Sequence, residues 1–324
     1  MHEPPYKVSD KAMEYMVEIA AALERYKIVM EGPDGVRLRK LNHIRTIRGT
    51  TAIEGNTLTE EQITAVLAGK HVIAPKREIE EVKNAHKAYS AIESFNPYSA
   101  DDLLKAHSLM TDGLVDHPGK WRNCNVGVMG VGGVSHIAPP FSMVPGLMSD
   151  LFAWLNESEA PMLIKSSVFH YEFEFIHPFP DGNGRMGRLW QTALLGNWHE
   201  EFYGVPVENI VWAHQNEYYD AIRKSGMIGE CGPFIDFMLD KILRTLKARG
   251  EAYEINGKSR DKSRDKSRDK ILKLLKSQPQ LTQADLADAI GLSVKAVEKA
   301  IAQLKDANRL RRKGGKKFGE WEVV

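Results

Sequence analysis

Apolar side chains recur at helical spacing through most of the first 113 residues. Residues 11–30 (KAMEYMVEIAAALERYKIVM) carry the pattern first, and Leu41 to Thr51 predicts a second helix that breaks near Gly55 and Asn56. Thr59 to Ala68, Glu78 to Phe95 and Ala100 to Gly113 continue it, with the Asn96-Pro97 step as punctuation. The pattern changes between Gly127 and Pro140, where GVMGVGGVSHIAPP alternates glycine with valine, methionine and isoleucine; this predicts a short β-hairpin. Helical periodicity returns over Met143 to Asn156 and Leu163 to Ile176. After an unusual stretch at 177–188 it runs through Trp198, and then over Glu217 to Lys224 and Pro233 to Lys247. The tetrapeptide repeat KSRDKSRDKSRDK, Lys258 to Lys270, has no apolar residue and reads as a solvated linker or a charged helix. Beyond it, Ile271 to Leu275, Leu281 to Ala289 and Ser293 to Leu304 predict three helices. Thr282 and Ser293 are their N-caps, and Gly291 lies in the turn between the last two. The pattern as a whole predicts a mainly α protein.

Composition adds a division of labour. At 324 residues the chain exceeds what one hydrophobic core usually serves, so two or three domains are expected. The net charge of +1 conceals an asymmetry: residues 257–324 carry 18 Lys and Arg against 9 Asp and Glu, which leaves the preceding residues acidic. The start MHEPPYKVSDKAMEYM shows no apolar run behind a basic patch, and no uncharged apolar stretch of about 18 residues occurs. Neither export nor membrane spanning is predicted, and the expected location is the cytoplasm. Cys124 and Cys231 stand far apart, so a disulfide framework or metal cluster is not expected.

The chemistry concentrates in His177-Pro-Phe-Pro-Asp-Gly-Asn-Gly-Arg-Met-Gly-Arg188, a helix-to-helix connection. Pro178 and Pro180 stop the first helix and hold the chain extended. Gly182-Asn183-Gly184 lets backbone N–H groups converge on an anion at the positive end of the next helix, a phosphate nest. Arg185 and Arg188, three apart, direct two guanidinium forks toward one phosphate chain. Asp181 offers a hard oxygen of the kind Mg²⁺ takes beside nucleotide phosphates, and His177 is the nearby group that titrates close to neutrality. Gly182, Gly184 and Gly187 also satisfy the dinucleotide pattern G-x-G-x-x-G. That pattern needs a preceding strand, whereas a helix and two prolines precede this one, and the P-loop pattern fails for want of Gly-Lys-Ser/Thr.

HPFPDGNGRMGR resembles the signature H-x-F-x-[DE]-G-N-G-R-x-x-R of the Fic family at every fixed position, and the resemblance extends from about Thr50 to the Pro233 helix. It implies a Fic-type helical core with a small β-hairpin flap. The implied activity is transfer of AMP from ATP to a Ser, Thr or Tyr hydroxyl of a protein, the chain itself included. In that scheme His177 is the base and Asp181 holds Mg²⁺. Asn183 and the amides of Gly182 and Gly184 hold the α- and β-phosphates, while Arg185 and Arg188 bind the outer ones. Phe179 anchors the loop in the core, and the hairpin registers the target chain by strand addition. Tyr218 and Tyr219 resemble an aromatic pair beside the adenine, although Gly226 stands where relatives often have asparagine. Thr50-Thr-Ala-Ile-Glu54-Gly55 fits the family's inhibitory pattern [ST]-x-x-x-E-[GN], with Glu54 competing with the γ-phosphate for the second motif arginine; in some relatives such a glutamate serves AMP removal instead.

On this reading residues 1–99 are an N-terminal helical region with the inhibitory motif, 100–248 the Fic core, 249–270 a charged linker and 271–324 a winged helix. The last would be completed by a two-stranded wing over Arg309 to Val324 with a basic Gly-Gly tip. Its charge suits DNA backbone contacts, yet its third helix offers only Lys295 and Lys299 as cations. DNA binding, with the Fic core as a nucleotide sensor, and a scaffold or homodimer interface are therefore both open.

Overall fold

The computed structural model describes the backbone of residues 3–130, 133–314 and 320–324, and the side chains of these residues outside 128–137 and 249–266. The chain divides into two compact units, Met1–Gly250 and Glu251–Val324.

In the first unit α1 (Asp10–Glu31), α2 (Gly35–Ile53), α3 (Glu60–Leu67), α4 (Lys76–Ser90) and α5 (Ala100–Thr111) precede the hairpin of β1 (Gly127–Gly130) and β2 (Gly133–Ile137). The strands are antiparallel, pairing Gly127 with Ile137, with a bulge between Val128 and Met129. After it come α6 (Val144–Glu157), α7 (Met162–Ile176), α8 (Asn183–Trp198), α9 (Val207–Ala213) and α10 (Gln215–Ile228). The starts follow local chemistry: Ser9 caps α1 through Ala12 N, and Thr59 with Gln62 closes a reciprocal box on α3. α7 and α8 are the centre of this unit. They are buried almost throughout, polar residues such as Ser166, His170, Arg188 and Gln191 included, so the polar side chains must find partners inside the core. Phe169, Phe173, Leu189, Trp190 and Leu194 are fully buried within this core.

α11 (Gly232–Ser277) begins in the core of the first unit with Phe234, Ile235 and Leu239, and its backbone stays helical through the KSRD repeat. Lysine and arginine are good helix formers and no proline follows Pro233 before Pro279, so nothing in this stretch forces a break. Of the two expectations for the repeat, its backbone follows the charged helix; the side chains of residues 258–266 lie outside those described. The second unit packs Ile271, Leu272 and Leu275 with α12 (Gln283–Ile290), α13 (Val294–Asp306) and the antiparallel strands β3 (Leu310–Lys313) and β4 (Glu320–Val323). Thr282 and Ser293 cap α12 and α13 as expected, and Gly291 ends α12 at φ 69°. Trp321, 4% exposed, closes this small core. Of the expected basic Gly-Gly tip, Gly314 is described, at φ 88°, and Gly315, Lys316 and Lys317 lie outside the described residues. Among the described residues no helix is long and apolar enough to cross a membrane.

Candidate active site

His177 ends α7 in a left-handed conformation, φ 51°, one of two positive-φ residues other than glycine among those described. Such a backbone costs free energy in a non-glycine residue and persists where the surroundings over-determine it. Arg122 supplies much of that constraint. Only 2% exposed, it donates from Nε to the carbonyl of His177 at 2.8 Å and from Nη1 to Cys124 at 2.8 Å, while Nη2 reaches the carbonyls of Pro139 and Ile176. Its own amide donates to Pro178 at 2.9 Å. One side chain thus ties the His177 turn to both feet of the hairpin. Arg122 lies in a stretch without periodicity, so no local pattern singles it out.

The imidazole of His177 turns Nδ1 toward the carbonyl of Glu174 at 3.4 Å. A carbonyl can only accept, so Nδ1 carries the hydrogen and Nε2 keeps its lone pair. Phe179, fully buried, stacks on His107 with ring centroids 3.6 Å apart and lies 5.0 Å from Trp121. His107 accepts at Nδ1 from Gly119 N and donates from Nε2 to the carbonyl of Asp181 at 3.0 Å; burial, with a smaller push from Arg185, lowers its pKa to about 4 and keeps it neutral.

Gly182 caps α8 at φ 86°, and the loop closes upon itself through Asn183. The Asn183 side chain accepts from Phe179 N at 2.9 Å and donates to Phe179 O at 2.8 Å. Its amide group therefore holds the loop, and what it turns toward an anion at the helix start is backbone N–H. Asp181 is half-exposed; Oδ2 pairs with Arg77 at 2.9 Å, and Oδ1 accepts from Gly182 N at 2.6 Å and from Arg185 Nη2 at 3.2 Å. Arg185 is 2% exposed, and its Nε and Nη1 are buried with no hydrogen-bond partner among the described residues. Arg188 is similarly buried but engaged: Nη2 pairs with Glu54 Oε1 at 2.6 Å and donates to the carbonyl of Thr50 at 3.0 Å, and Nε donates to the Thr50 hydroxyl at 3.3 Å. Burial works against its charge, yet the Glu54 carboxylate outweighs it and raises the Arg188 pKa above its ordinary value. Glu54 follows the last turn of α2, whose final carbonyl, Ile53 O, accepts from Gln215 at 2.7 Å.

The aromatic pair divides. Tyr218 is buried, its hydroxyl 3.1 Å from Nε2 of His170 beneath the loop, whereas Tyr219 is half-buried and meets Gln215 at 3.4 Å. Burial raises both phenols, Tyr218 well above the ordinary range. Among the described residues no three His, Cys, Asp or Glu side chains converge as a metal site. A single carboxylate beside a phosphate nest does fit Mg²⁺, which is commonly held by one or two carboxylates, substrate phosphates and water.

Residues 97–195 match the Fic/DOC family, and residues 264–311 match a winged helix-turn-helix DNA-binding family. The chain is 31% identical over 222 residues to a protein adenylyltransferase Fic of Culex quinquefasciatus, covering 65% of this chain and 42% of that protein. It is 34% identical over 116 residues to a probable protein adenylyltransferase of Aquifex aeolicus, which covers 32% of this chain and 33% of that one. The chain therefore spans less than half the length of these curated relatives. The crystal structure of a Fic family protein from Desulfovibrio desulfuricans G20 superposes with a TM-score of 0.76 at 36% identity, over 100% of this chain and 98% of that one. A likeness of that extent, with the signature loop inside the matched segment, shows that the chain belongs to the Fic family.

Proposed function

We propose that the protein transfers AMP from ATP to a Ser, Thr or Tyr hydroxyl of a protein and that Glu54 restrains it. The observation that carries the reading is the contrast at α8: a helix start where two buried guanidinium nitrogens of Arg185 have no partner among the described residues, three residues from an arginine filled by an internal carboxylate. Unpaired donors of that kind are costly and suit an anion with several oxygens. The names of the relatives, protein adenylyltransferases, agree with it.

In this reaction Nε2 of His177 takes the proton of the target hydroxyl. Its oxygen bonds to the α-phosphorus, the bond to the β-phosphate oxygen breaks, and pyrophosphate leaves. The amides at the start of α8 and Arg185 hold the phosphates, and Tyr219 borders the nucleotide side. Bound Mg²⁺, taken by Asp181 after release of Arg77, would neutralise phosphate charge. The test is incubation of the Glu54→Gly chain with ATP labelled at the α- or the γ-phosphorus. The α label alone is expected to stay on protein, including the chain itself, and retention of the γ label would refute AMP transfer. Release of AMP from a modified protein by the intact chain, lost in Glu54→Gly, would assign Glu54 to AMP removal.

A DNA-binding role for the second unit is favoured by its family match and by its cations, Lys295 and Lys299 on α13 and Arg311 on β3. Binding of the full chain to duplex DNA should fall steeply with salt and weaken on Lys295→Glu with Lys299→Glu. Salt-independent binding, or none at low salt, would favour a scaffold or homodimer surface.

A further inference from the structure

A buried polar chain lies beneath the His177 turn, and the phosphate contacts do not account for it. Glu174, on α7 three residues ahead of His177, is 10% exposed at its side chain. Its Oε1 accepts from the Tyr218 hydroxyl at 3.5 Å and stands 3.8 Å from Nε2 of His170. His170, fully buried, donates from Nδ1 to Gln191 Oε1 on α8 at 2.7 Å. The carboxylate reaches α8 because position 187 has no side chain: a Cβ on Gly187 would stand 3.1 Å from Glu174 Oε1 and 2.8 Å from the His170 ring. The acid is therefore seated between the turn that carries His177 and the backbone that carries Arg188, while its own carbonyl receives Nδ1 of His177.

We infer that Glu174 is a positioning residue that acts through His177: its carbonyl fixes the ring with Nε2 outward, and its carboxylate stabilises the imidazolium formed when the target's proton arrives. The inference rests on His177 being the base. The groups that act on the acid are His170 and His177 on α7, Arg188 on α8 and Tyr218 and Tyr219 on α10, while Glu54, from the end of α2, acts on the same arginine and tyrosines. Burial tends to raise the Glu174 pKa, but the neighbouring His170 and the charges of His177 and Arg188 outweigh it and hold it below the usual range. The carboxylate thus stays ionised while an imidazole titrates. An anion nearby favours imidazolium, so neutralising it must lower the pH at which His177 protonates.

The test uses the full Glu54→Gly chain labelled at histidine, with the His177 ring titration followed by nuclear magnetic resonance and its signal identified by its loss in His177→Ala. Glu174→Gln should lower the midpoint by about 0.5 to 1 pH unit, the size expected of one charge several ångströms away in a partly buried site. Glu174→Asp, which keeps the charge, should restore most of it. Gly187→Ala, which pushes the carboxylate aside, should shift the midpoint the same way by less, and it decides the matter if Glu174→Gln does not fold. An unchanged midpoint in the folded Glu174→Gln chain, or in Gly187→Ala where that variant decides, overturns the inference. The acid limb of AMP transfer should move with the ring titration. If the Glu54→Gly chain transfers no AMP, the functional reading fails while the ring titration still decides the role of Glu174.

Discussion

Arg185 and Arg188 stand three residues apart on α8 and are 2% and 3% exposed, yet their surroundings are opposite. Arg188 meets a carboxylate, a carbonyl and a hydroxyl, all supplied by Thr50 and Glu54. Arg185 pairs with Asp181, and two of its guanidinium nitrogens, Nε and Nη1, have no partner among the described residues. Burial alone therefore does not explain a buried guanidinium here. One side of the loop is complete without a ligand and the other is not, the arrangement expected if an internal acid occupies one of the two arginine contacts to the outer phosphates while the other waits for substrate. Substitutions on each side, and at the group between them, should respond differently if that account holds.

The strongest response should come from the group both sides serve. His177→Ala removes the base and leaves the start of α8 intact, so AMP transfer should fall by about 10² to 10⁴-fold with ATP affinity within a few-fold. Isothermal calorimetry beside a transfer assay checks both, and equal turnover would remove His177 from the chemistry. Next comes the occupied side. Glu54→Gly should raise transfer, including self-modification, by on the order of 100-fold, because a γ-phosphate denied Arg188 leaves the α-phosphorus misaligned. Adding Arg188→Ala should cancel most of the gain, far from additively, since Glu54 and Arg188 are in direct contact. On the open side, Asp181→Ala should leave a residual activity that no longer responds to Mg²⁺ titration; an unchanged titration curve would place the ion elsewhere.

The occupied side was legible through the family resemblance: Thr50 and Glu54 lie at helical spacing within the inhibitory pattern, and that pattern implied the contact with the second motif arginine. The loop's glycines, prolines and arginines were equally plain, because each residue type constrains its own backbone or charge. What could not be read was which atoms the fold would spend on itself. Asn183 closes the loop on Phe179, Tyr218 is drawn into the core by His170, and Arg122 gathers carbonyls from three separate stretches. Those roles depend on long-range packing, which no local pattern encodes. Likewise α2 starts at Gly35, six residues before the expected Leu41, because its first turns rest on tertiary contacts such as Arg39 with Met30 O rather than on an apolar period.

The weakest response should come from the point where the two sides meet. Gly184 lies in the first turn of α8 with ordinary helical φ, so alanine there needs no unusual backbone and carries the better helix propensity. Its Cβ, however, would press on Glu54 Oε1 and stand 3.0 Å from Arg188 Nη1. The Glu54 carboxylate is the movable end of a half-exposed side chain, so it should yield before the helix does. Gly184→Ala should therefore raise AMP transfer a few-fold, well short of Glu54→Gly, at unchanged or slightly higher melting temperature. In the Glu54→Gly background the same substitution should add nothing, because the group it displaces is already gone. If instead alanine lowers transfer equally in both backgrounds, position 184 is a wall of the phosphate nest that cannot spare a methyl group, and the boundary between the occupied and open sides runs through Gly184 rather than between the two arginines.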